Sequence, residues 1–517
     1  MSRTARPNVL MVLADQHHAG LLGCAGHPQV KTPRLDAFAQ TAVRFTDTYC
    51  QNPICTPSRV SLLAGQYPHN TGYYGLGGPS PTHLPSLFGH FRQHGYRTAG
   101  FGKLHLPTSP HSWIADHVDR FGDTYETADG RFGESHYFTE LEARGLRDRE
   151  DSWHNTTGRY GKSTIGRDSR PSDLPYEFTQ ERWCAREALR FADEAAADGK
   201  PFFVQLAFQK PHHPLLPVQR FWDLYKDDLD LPPTIDQDPS HRPPNFQRMW
   251  HLMRQDNEWA YHQPGQTWRD GARRAWRGTL ACISQLDDVF GILLDGLDQR
   301  GLADHTIVVY GSDHGCYHGI HGLPEKAPGI GSDAIARVPL MIRIPGTTTP
   351  GHVCHHLVEN IDLAPTLANA AGLPEPDWID GHDLAPLLRG DDSPLRNAAF
   401  TENAVSKAVR FGPYRLTHYP DHVFNGQYPG ELYNLEQDPG ETKNLYHDPA
   451  HRDTVTQGTR LILDWLATTT RVITGMPNNF EGGKLLGKRH YPLAADGKRP
   501  SANQPGREPA PDLPNYL

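Results

Sequence analysis

The stretch Asn8-Val9-Leu10-Met11-Val12-Leu13-Ala14, which leads into Asp15-Gln16, decides the fold class of this chain. Its apolar residues follow one another without the alternation of a half-exposed strand, and the run is far too short to span a membrane. A run of this kind is typical of a parallel strand buried on both faces of an α/β sheet. Asp15 and Gln16 would then lie at the carboxyl end of that strand.

The same pattern of a buried strand followed by a polar loop recurs three times. The strands and their loops are 96–101 before Gly102-Lys103-Leu104-His105, 202–208 before Pro211-His212-His213-Pro214, and 306–310 before Ser312-Asp313-His314-Gly315. Helical patterns at 179–197 and 273–300 lie between them. Strands that alternate with helices predict an α/β fold, with a largely parallel sheet between helix layers. Ligands bind such sheets outside the carboxyl ends of the strands, where these loops would meet.

Two helices are predicted near the start of the chain. Thr32-Pro33 opens the first, and Thr56-Pro57 is expected to open the second, with Thr56 as N-cap and Gly65 as C-cap. This would place Cys55 just ahead of a helix N-terminus, a position that favours anions.

The chain is long enough for more than one domain. We expect a large domain over residues 1–385 with a mixed, mostly parallel sheet, and a small C-terminal antiparallel α+β domain over 386–485, where short strands and turns such as Asp438-Pro439-Gly440 predominate. Residues 486–517 read as an extended tail. The tail is either disordered or an arm around a neighbouring subunit, which would make the protein a homo-oligomer.

Composition excludes several classes of protein. The 51 basic and 60 acidic residues are mixed along the chain and give a net charge of −9, so we expect no nucleic-acid partner. No apolar run is long enough for a membrane span or a signal peptide, and we expect no membrane partner. The seven cysteines are an odd number without C-x-x-C spacing, which favours a reducing compartment and hence the cytoplasm.

The segment Cys55-Thr56-Pro57-Ser58-Arg59 carries a family resemblance. It resembles the signature by which sulfatases, of the alkaline phosphatase superfamily, are recognised for oxidation of the cysteine to formylglycine by a formylglycine-generating enzyme. Further segments follow in the family's order over roughly residues 8 to 346, and the turn at 433–445 is similar to the family's C-terminal domain. They are Thr32-Pro33-Arg34-Leu35-Asp36, Gly65-Gln66-Tyr67-Pro68-His69, and the Gly-Lys-x-His, Pro-His-x-Pro and Asp-His-Gly segments. The resemblance implies an alkaline-phosphatase-like fold.

The resemblance also implies one divalent cation. Its ligands would be Asp15, Gln16, Asp313 and His314, together with an oxygen of the modified Cys55. Carboxylate and amide oxygens suit Ca²⁺, which we expect first, or Mg²⁺, and imidazole shifts the preference toward Mn²⁺. Many sulfatases have Asp and Asn where this chain has Gln16 and His314, so the identity of the ion stays open.

The resemblance assigns roles to further side chains. Arg59, one helical turn beyond Cys55, would hydrogen-bond the formylglycine diol. Lys103 and Lys326 match the lysines that hold the sulfate oxygens, and His105 would accept the proton whose loss frees sulfate. His212 would assist the leaving oxygen, and the adjacent His213 competes for that role.

We therefore expect a sulfuric ester hydrolase that acts on a small-molecule or glycan sulfate ester. Choline, aryl and glycan sulfates all fit the sequence. Two other functions compete with this one. Phosphonate monoester and phosphodiester hydrolases of the same superfamily also use formylglycine and have a similar Asp-Gln and Asp-His set. A binding protein without catalysis is the third, and the full set of polar residues argues against it.

Overall fold

A computed structural model of the chain describes residues 6–471 except 77, 79, 82–83, 108–112, 125–135, 150–168, 227, 256–264, 324 and 327–330. The tail at 486–517 lies outside the described residues, so its role as an oligomer arm stays a prediction. Within the described residues, no helix is long and apolar enough to cross a membrane.

The central element is a sheet of eight strands. In chain order they are β1 (Asn8–Asp15), β2 (Val43–Tyr49), β3 (Arg97–Gly102), β4 (Arg120–Asp123), β5 (Phe202–Pro211), β6 (Thr306–Ser312), β7 (Arg337–Arg343) and β8 (Val353–Glu359). Their spatial order is β4-β3-β5-β1-β6-β7-β2-β8. β7 is antiparallel to β6 and β2, and the other neighbouring pairs are parallel. The prediction of a mixed, mostly parallel sheet is confirmed.

Helices cover both faces of this sheet. The α-helices of the chain are α1 (Pro33–Ala39), α2 (Cys55–Ala64), α3 (Pro68–Thr71), α4 (Leu87–Gln93), α5 (His136–Ala143), α6 (Gln180–Ala197), α7 (Gln219–Trp222), α8 (Pro244–Leu252), α9 (Trp268–Gln299), α10 (Asp333–Ala336), α11 (Leu363–Ala370), α12 (Ala385–Leu388) and α13 (Arg452–Thr469). On one face of β1, Val9, Met11 and Leu13 belong to a core with α2, α4 and α11. On the other, Leu10, Val12 and Ala14 belong to a core with α1, α6 and α9. The unbroken apolar run of β1 is therefore buried on both faces, as predicted.

A second sheet of four antiparallel strands follows. The strands are β9 (Ala398–Glu402), β10 (Lys407–Phe411), β11 (Tyr414–His418) and β12 (Gly430–Asn434), and they pair in the order β12-β11-β10-β9. Phe400 stacks on Trp465 of α13 with ring centroids 4.5 Å apart, and Tyr67 from the large part packs into the same core. The small antiparallel part is confirmed, and the domain boundaries at 385 and 485 stay predictions.

The structure corrects the expected start of α2. The helix begins at Cys55 itself, and the residue before it, Ile54, is extended and forms no side-chain cap. Thr56 is therefore not the N-cap but lies in the first turn. The helix ends as predicted, because Gly65 takes the left-handed conformation with φ of 65° and closes the last turn through bonds to Leu62 O and Ser61 O.

The end of β3 depends on a glycine. Gly102 pairs with Ala207 of β5 and has φ of 102°. A Cβ at this position would lie 2.1 Å from Ala207 O. The missing side chain lets the next residue, Lys103, donate its N–H to Ala207 O at 2.7 Å and so leave the strand in a fixed direction.

We predict that Gly102→Ala lowers the free energy of unfolding by about 3 kcal/mol or more, since a left-handed backbone and overpacking each cost roughly 1–3 kcal/mol. Gly95→Ala is the matched control. Gly95 also has a positive φ, but a Cβ there meets no heavy atom of the described residues within 4 Å, so Gly95→Ala should cost only the backbone term of about 1–2 kcal/mol. Denaturant unfolding of both variants measures the difference. Equal losses of unfolding free energy in the two variants would show that the close approach of a Cβ at position 102 to Ala207 O has no effect on stability.

Candidate active site

The parallel pairing of β1 with β6 brings two polar strand ends together. Ala14 pairs with Ser312, so Asp15 and Asp313, the residues that follow this pair in the sequence, lie side by side. Ser312 Oγ accepts the N–H of His17 at 3.0 Å, and Gln16 N donates to Asp313 Oδ1 at 3.1 Å. Gln16 has φ of 71°, which is unusual for a residue with a side chain and marks a backbone held by its surroundings.

The guanidinium of Arg59, in the first half of α2, contacts these carboxylates. Arg59 Nε donates to Asp313 Oδ2 at 2.8 Å, Nη2 donates to Asp15 Oδ2 at 3.2 Å, and Nη1 donates to Lys103 O. All three side chains in these two ion pairs are fully buried. Burial would lower the pKa of Arg59, but Asp313 and Asp15 outweigh it and raise that pKa, so the guanidinium is charged. Arg59 thus joins both strand ends to the helix that begins at Cys55.

Four buried side chains form a cluster that could hold a metal ion. One ligand atom from each of Asp15, Cys55, Asp313 and His314 lies within 4.8 Å of the others. Cys55 Sγ is 3.1 Å from His314 Nε2 and 3.7 Å from Asp15 Oδ1. His314 Nδ1 faces Gly315 O at 2.8 Å, which leaves Nε2 directed into the cluster. Two carboxylates and one imidazole that converge in this way fit a divalent cation.

Gln16 reaches the edge of this cluster through its side chain. Its Oε1 accepts a hydrogen bond from Lys326 Nζ at 2.8 Å, and Lys326 Nζ is itself 3.3 Å from Cys55 Sγ. Gln16 Nε2 donates to Cys316 Sγ at 3.1 Å, which fixes the amide with its oxygen toward the cluster.

Positive charge surrounds position 55. Lys103 Nζ lies 2.6 Å from Asp15 Oδ2, and its side chain is fully buried. Burial would raise the pKa of the Cys55 thiol, but Lys326, Lys103 and His314, with a hydrogen bond from His105, hold that pKa well below its usual value. The environment therefore stabilises negative charge on whatever group stands at position 55.

The three predicted histidines have different surroundings. His105 is hydrogen-bonded to Cys55, and burial lowers its pKa. His212 Nδ1 lies 2.6 Å from His213 O, and burial, followed by Lys103, lowers the pKa of His212 to about 3. His213 stacks on His212 with ring centroids 4.2 Å apart, and its Nε2 lies 2.6 Å from Glu325 Oε1. The His213 ring is thus tied to Glu325.

Every residue that the sequence singled out for the site lies in this one region, at the carboxyl ends of β1, β3, β5 and β6. Cys316, which orients the Gln16 amide, was not predicted, because a lone thiol without a motif does not indicate a role. Glu325 was also missed as a partner of His213. Its position next to Lys326 in the sequence could have indicated that Glu325 lies near the site.

Comparisons with known proteins agree with this geometry. The family model described as Sulfatase matches residues 7–373. The chain belongs to the sulfatase family. It is thereby a hydrolase of the class that acts on sulfate esters. A second family model, described as N-sulphoglucosamine sulphohydrolase, C-terminal, matches residues 330–465.

Individual proteins extend the comparison. A choline-sulfatase of Rhizobium meliloti is 29% identical over 447 residues, which cover 84% of this chain and 81% of the relative. A phosphonate monoester hydrolase of Agrobacterium radiobacter superposes with a TM-score of 0.73 at 22% identity, covering 89% of this chain and 96% of its own. A protein solved in complex with its substrate, D-glucosamine-2-N,6-O-disulfate, has a TM-score of 0.70 at 20% identity and covers 89% of this chain and 98% of its own. These two structures show the alkaline-phosphatase-like fold.

We predict that the purified protein contains one divalent cation per chain and that Asp313→Ala loses it, since the change removes both a charge and a ligand. Asp380→Ala is the control, because Asp380 is equally buried but pairs with Arg471 away from the cluster. Elemental analysis by plasma mass spectrometry measures the metal content. Full metal content in the Asp313 variant would show that the ion is held elsewhere.

Proposed function

We propose that the protein hydrolyses a sulfate monoester with a formylglycine made by oxidation of Cys55 and with one divalent cation. The observation that carries the proposal is the convergence of Arg59, Lys103 and Lys326 around position 55, beside the cluster of Asp15, Asp313 and His314. A sulfate ester is an anion that resists attack, so its hydrolysis needs a strong nucleophile and fixed positive charge near the sulfuryl oxygens.

Formylglycine would supply, as its hydrate, one hydroxyl that attacks sulfur and a second whose loss of a proton releases sulfate. Arg59 would hold the hydrate in place from one turn along α2, and its bonds to Asp15 and Asp313 keep the guanidinium in one position. His105, which is hydrogen-bonded to the group at position 55, would accept the proton of the second hydroxyl.

The cation would be held by Asp15, Gln16, Asp313 and His314 with the residue at position 55, and it would supply positive charge against the oxygens of the sulfate group. The hard oxygen ligands favour Ca²⁺, with Mn²⁺ or Mg²⁺ as alternatives because of His314.

Lys103 and Lys326 would hold the non-bridging oxygens from two sides. Lys103 is fully buried and Lys326 is partly buried, so their charges are only weakly screened by solvent and need no reorganisation when the bond to sulfur breaks. His212 would assist the leaving oxygen. We prefer it to His213, whose Nε2 is engaged with Glu325. His212 would have to gain a proton first, and the negative charge of a bound ester raises its pKa in that direction.

The alternative is hydrolysis of phosphonate monoesters or phosphodiesters at the same site. It is favoured by the fold that the chain shares with the phosphonate monoester hydrolase and by the resemblance of Asp15-Gln16 and Asp313-His314 to the set found in such hydrolases. The sequence match with named sulfatases, such as the choline-sulfatase, favours the sulfate ester.

The substrate class that we propose is a small-molecule or glycan sulfate ester. A formylglycine-generating enzyme would have to modify Cys55 before the protein could act on such a substrate. None of the seven cysteines, all of which lie in the described part, forms a disulfide. This supports a reducing compartment, for which we propose the cytoplasm.

We predict that protein produced together with a formylglycine-generating enzyme carries an aldehyde at position 55, and that Cys55→Ala abolishes sulfate ester hydrolysis. Mass spectrometry of the peptide around residue 55 shows the loss of the thiol. Cys282→Ala is the control, because Cys282 is buried in α9 and should affect stability alone. Fully active enzyme with an unmodified Cys55 would overturn the mechanism.

Lys103→Ala should lower kcat for a sulfate monoester by a hundredfold or more, since the loss of one preorganised contact of this kind costs about 3–4 kcal/mol. The exposed Lys200 provides the control variant Lys200→Ala, which should leave kcat unchanged. Steady-state kinetics with 4-nitrophenyl sulfate measures both. Sulfate hydrolysis that survives in the Lys103 variant would remove this lysine from the proposed site.

A further inference from the structure

The small C-terminal part contributes a buried carboxylate to the large part. Glu441 follows the turn after β12 and is 1% exposed. It has φ of 46°, a left-handed conformation that is rare for a residue with a side chain. A backbone of this kind persists where its surroundings hold it, which directs attention to what the Glu441 side chain contacts.

The contacts of Glu441 lie on both sides of Lys326 in the sequence. On the N-terminal side, His321 Nε2 is 3.2 Å from Glu441 Oε2, and His321 also has a positive φ, of 56°. On the C-terminal side, Ser332 Oγ donates to Glu441 Oε2, and Asp333 N donates to Oε1 at 3.3 Å. One carboxylate therefore binds the chain five residues before Lys326 and six to seven residues after it.

Two buried arginines keep this carboxylate in place. Arg415 of β11 donates its Nε to Glu441 Oε1 at 2.5 Å and its Nη1 to Gly331 O. Arg242 Nη2 lies 3.0 Å from His321 Nε2 and donates to Glu441 O at 2.9 Å. Burial would raise the pKa of Glu441, but Arg415, the hydrogen bond with His321 and Arg242 hold it well below its usual value. The carboxylate is therefore ionised, accepts hydrogen bonds from Ser332 and Asp333 on the C-terminal flank and contacts His321 on the N-terminal flank.

Further contacts hold the N-terminal flank. His321 N donates to Thr234 Oγ1 at 2.9 Å, and Arg254 Nη1 donates to Gly322 O at 3.0 Å. A Cβ at Gly322 would lie 2.4 Å from Arg254 Nη2, so the chain is tightly enclosed here. These contacts therefore hold His321 and Gly322 in place, although neither residue belongs to the active site.

We propose that Glu441 is a positioning residue through which the C-terminal sheet fixes the placement of Lys326 in the active site. The proposal rests on the proposed function, in which Lys326 Nζ holds a sulfate oxygen. The Nζ atom must sit within hydrogen-bonding distance of both Gln16 Oε1 and the group at position 55. A small shift of the chain around it would lengthen both contacts, and catalysis is sensitive to shifts of this size.

Glu431 offers a matched control within the same network. It is a fully buried carboxylate that pairs with Arg242 and accepts the hydroxyls of Tyr419 and Tyr433. In the described part of the chain, its side-chain hydrogen bonds and ion pairs are with Arg242, Tyr419 and Tyr433 and not with His321, Ser332 or Asp333. Glu431→Gln and Glu441→Gln thus both remove a buried charge from Arg242, but Glu441→Gln alone alters the flanks of Lys326.

The test compares the two variants in kcat and KM for 4-nitrophenyl sulfate and in Tm. Mass spectrometry first shows that both preparations have the same formylglycine content. At a similar loss of Tm, Glu441→Gln should lower kcat at least about tenfold more than Glu431→Gln, with the loss in kcat rather than KM. In a Lys326→Ala background, Glu441→Gln should lower kcat by less than about twofold, because its effect acts through Lys326.

The comparison of single and double variants also distinguishes failure of the positioning role of Glu441 from failure of the proposed function. Losses of kcat that follow Tm equally in both variants, or that multiply in the double variant, would overturn the positioning role of Glu441. Wild-type kcat in Lys326→Ala would instead overturn the assigned role of Lys326, and with it the proposed function on which this inference rests. If Glu441→Gln does not fold, Ser332→Ala takes its place in the same cycle, since it removes one flank contact and leaves the ion pairs intact.

Discussion

The buried ion pairs of Arg59 with Asp15 and Asp313 are the constraint on which the site depends. Parallel pairing of β1 with β6 forces the two carboxylates together in a place without solvent, where like charges repel strongly. Arg59 compensates this repulsion from α2 and at the same time binds Lys103 O beyond β3. One guanidinium therefore joins three strand ends to α2, and removal of one partner from such a buried pair typically costs about 3–5 kcal/mol.

This arrangement explains why charge is concentrated at one end of the sheet. Lys103 and Lys326 join Arg59 around position 55, so three cationic side chains lie beside the two carboxylates of Asp15 and Asp313. In the proposed function, this positive charge would bind the sulfate ester, and the carboxylates would hold a divalent cation. The second sheet also contacts this region. Arg415 of β11 pairs with Glu441, and Glu441 contacts the chain on either side of Lys326.

Much of this could be predicted from the sequence, for identifiable reasons. The apolar run of β1 predicted its burial on both faces, and the polar loops after the strands predicted a common site, because parallel strands bring their carboxyl ends together. The roles of the site residues came from the resemblance to sulfatases. β2 was missed because Arg44, Thr46 and Asp47 interrupt its apolar pattern, and its place depends on pairing with the distant β7 and β8. The contacts of Cys316 and Glu441 also depend on tertiary placement. No local pattern in the sequence marks them.

The most direct test of the central claim is the substrate preference of the formylglycine-containing enzyme. It is measured as kcat/KM for 4-nitrophenyl sulfate and for the matched 4-nitrophenyl phenylphosphonate, under the same metal and pH conditions. The fixed positive charges of Lys103, Lys326 and the cation site predict a higher kcat/KM for the sulfate monoester, whose three non-bridging oxygens they can all contact. A wide preference for the phosphonate ester would contradict the account and identify the protein as a phosphonate or phosphodiester hydrolase built on the same site.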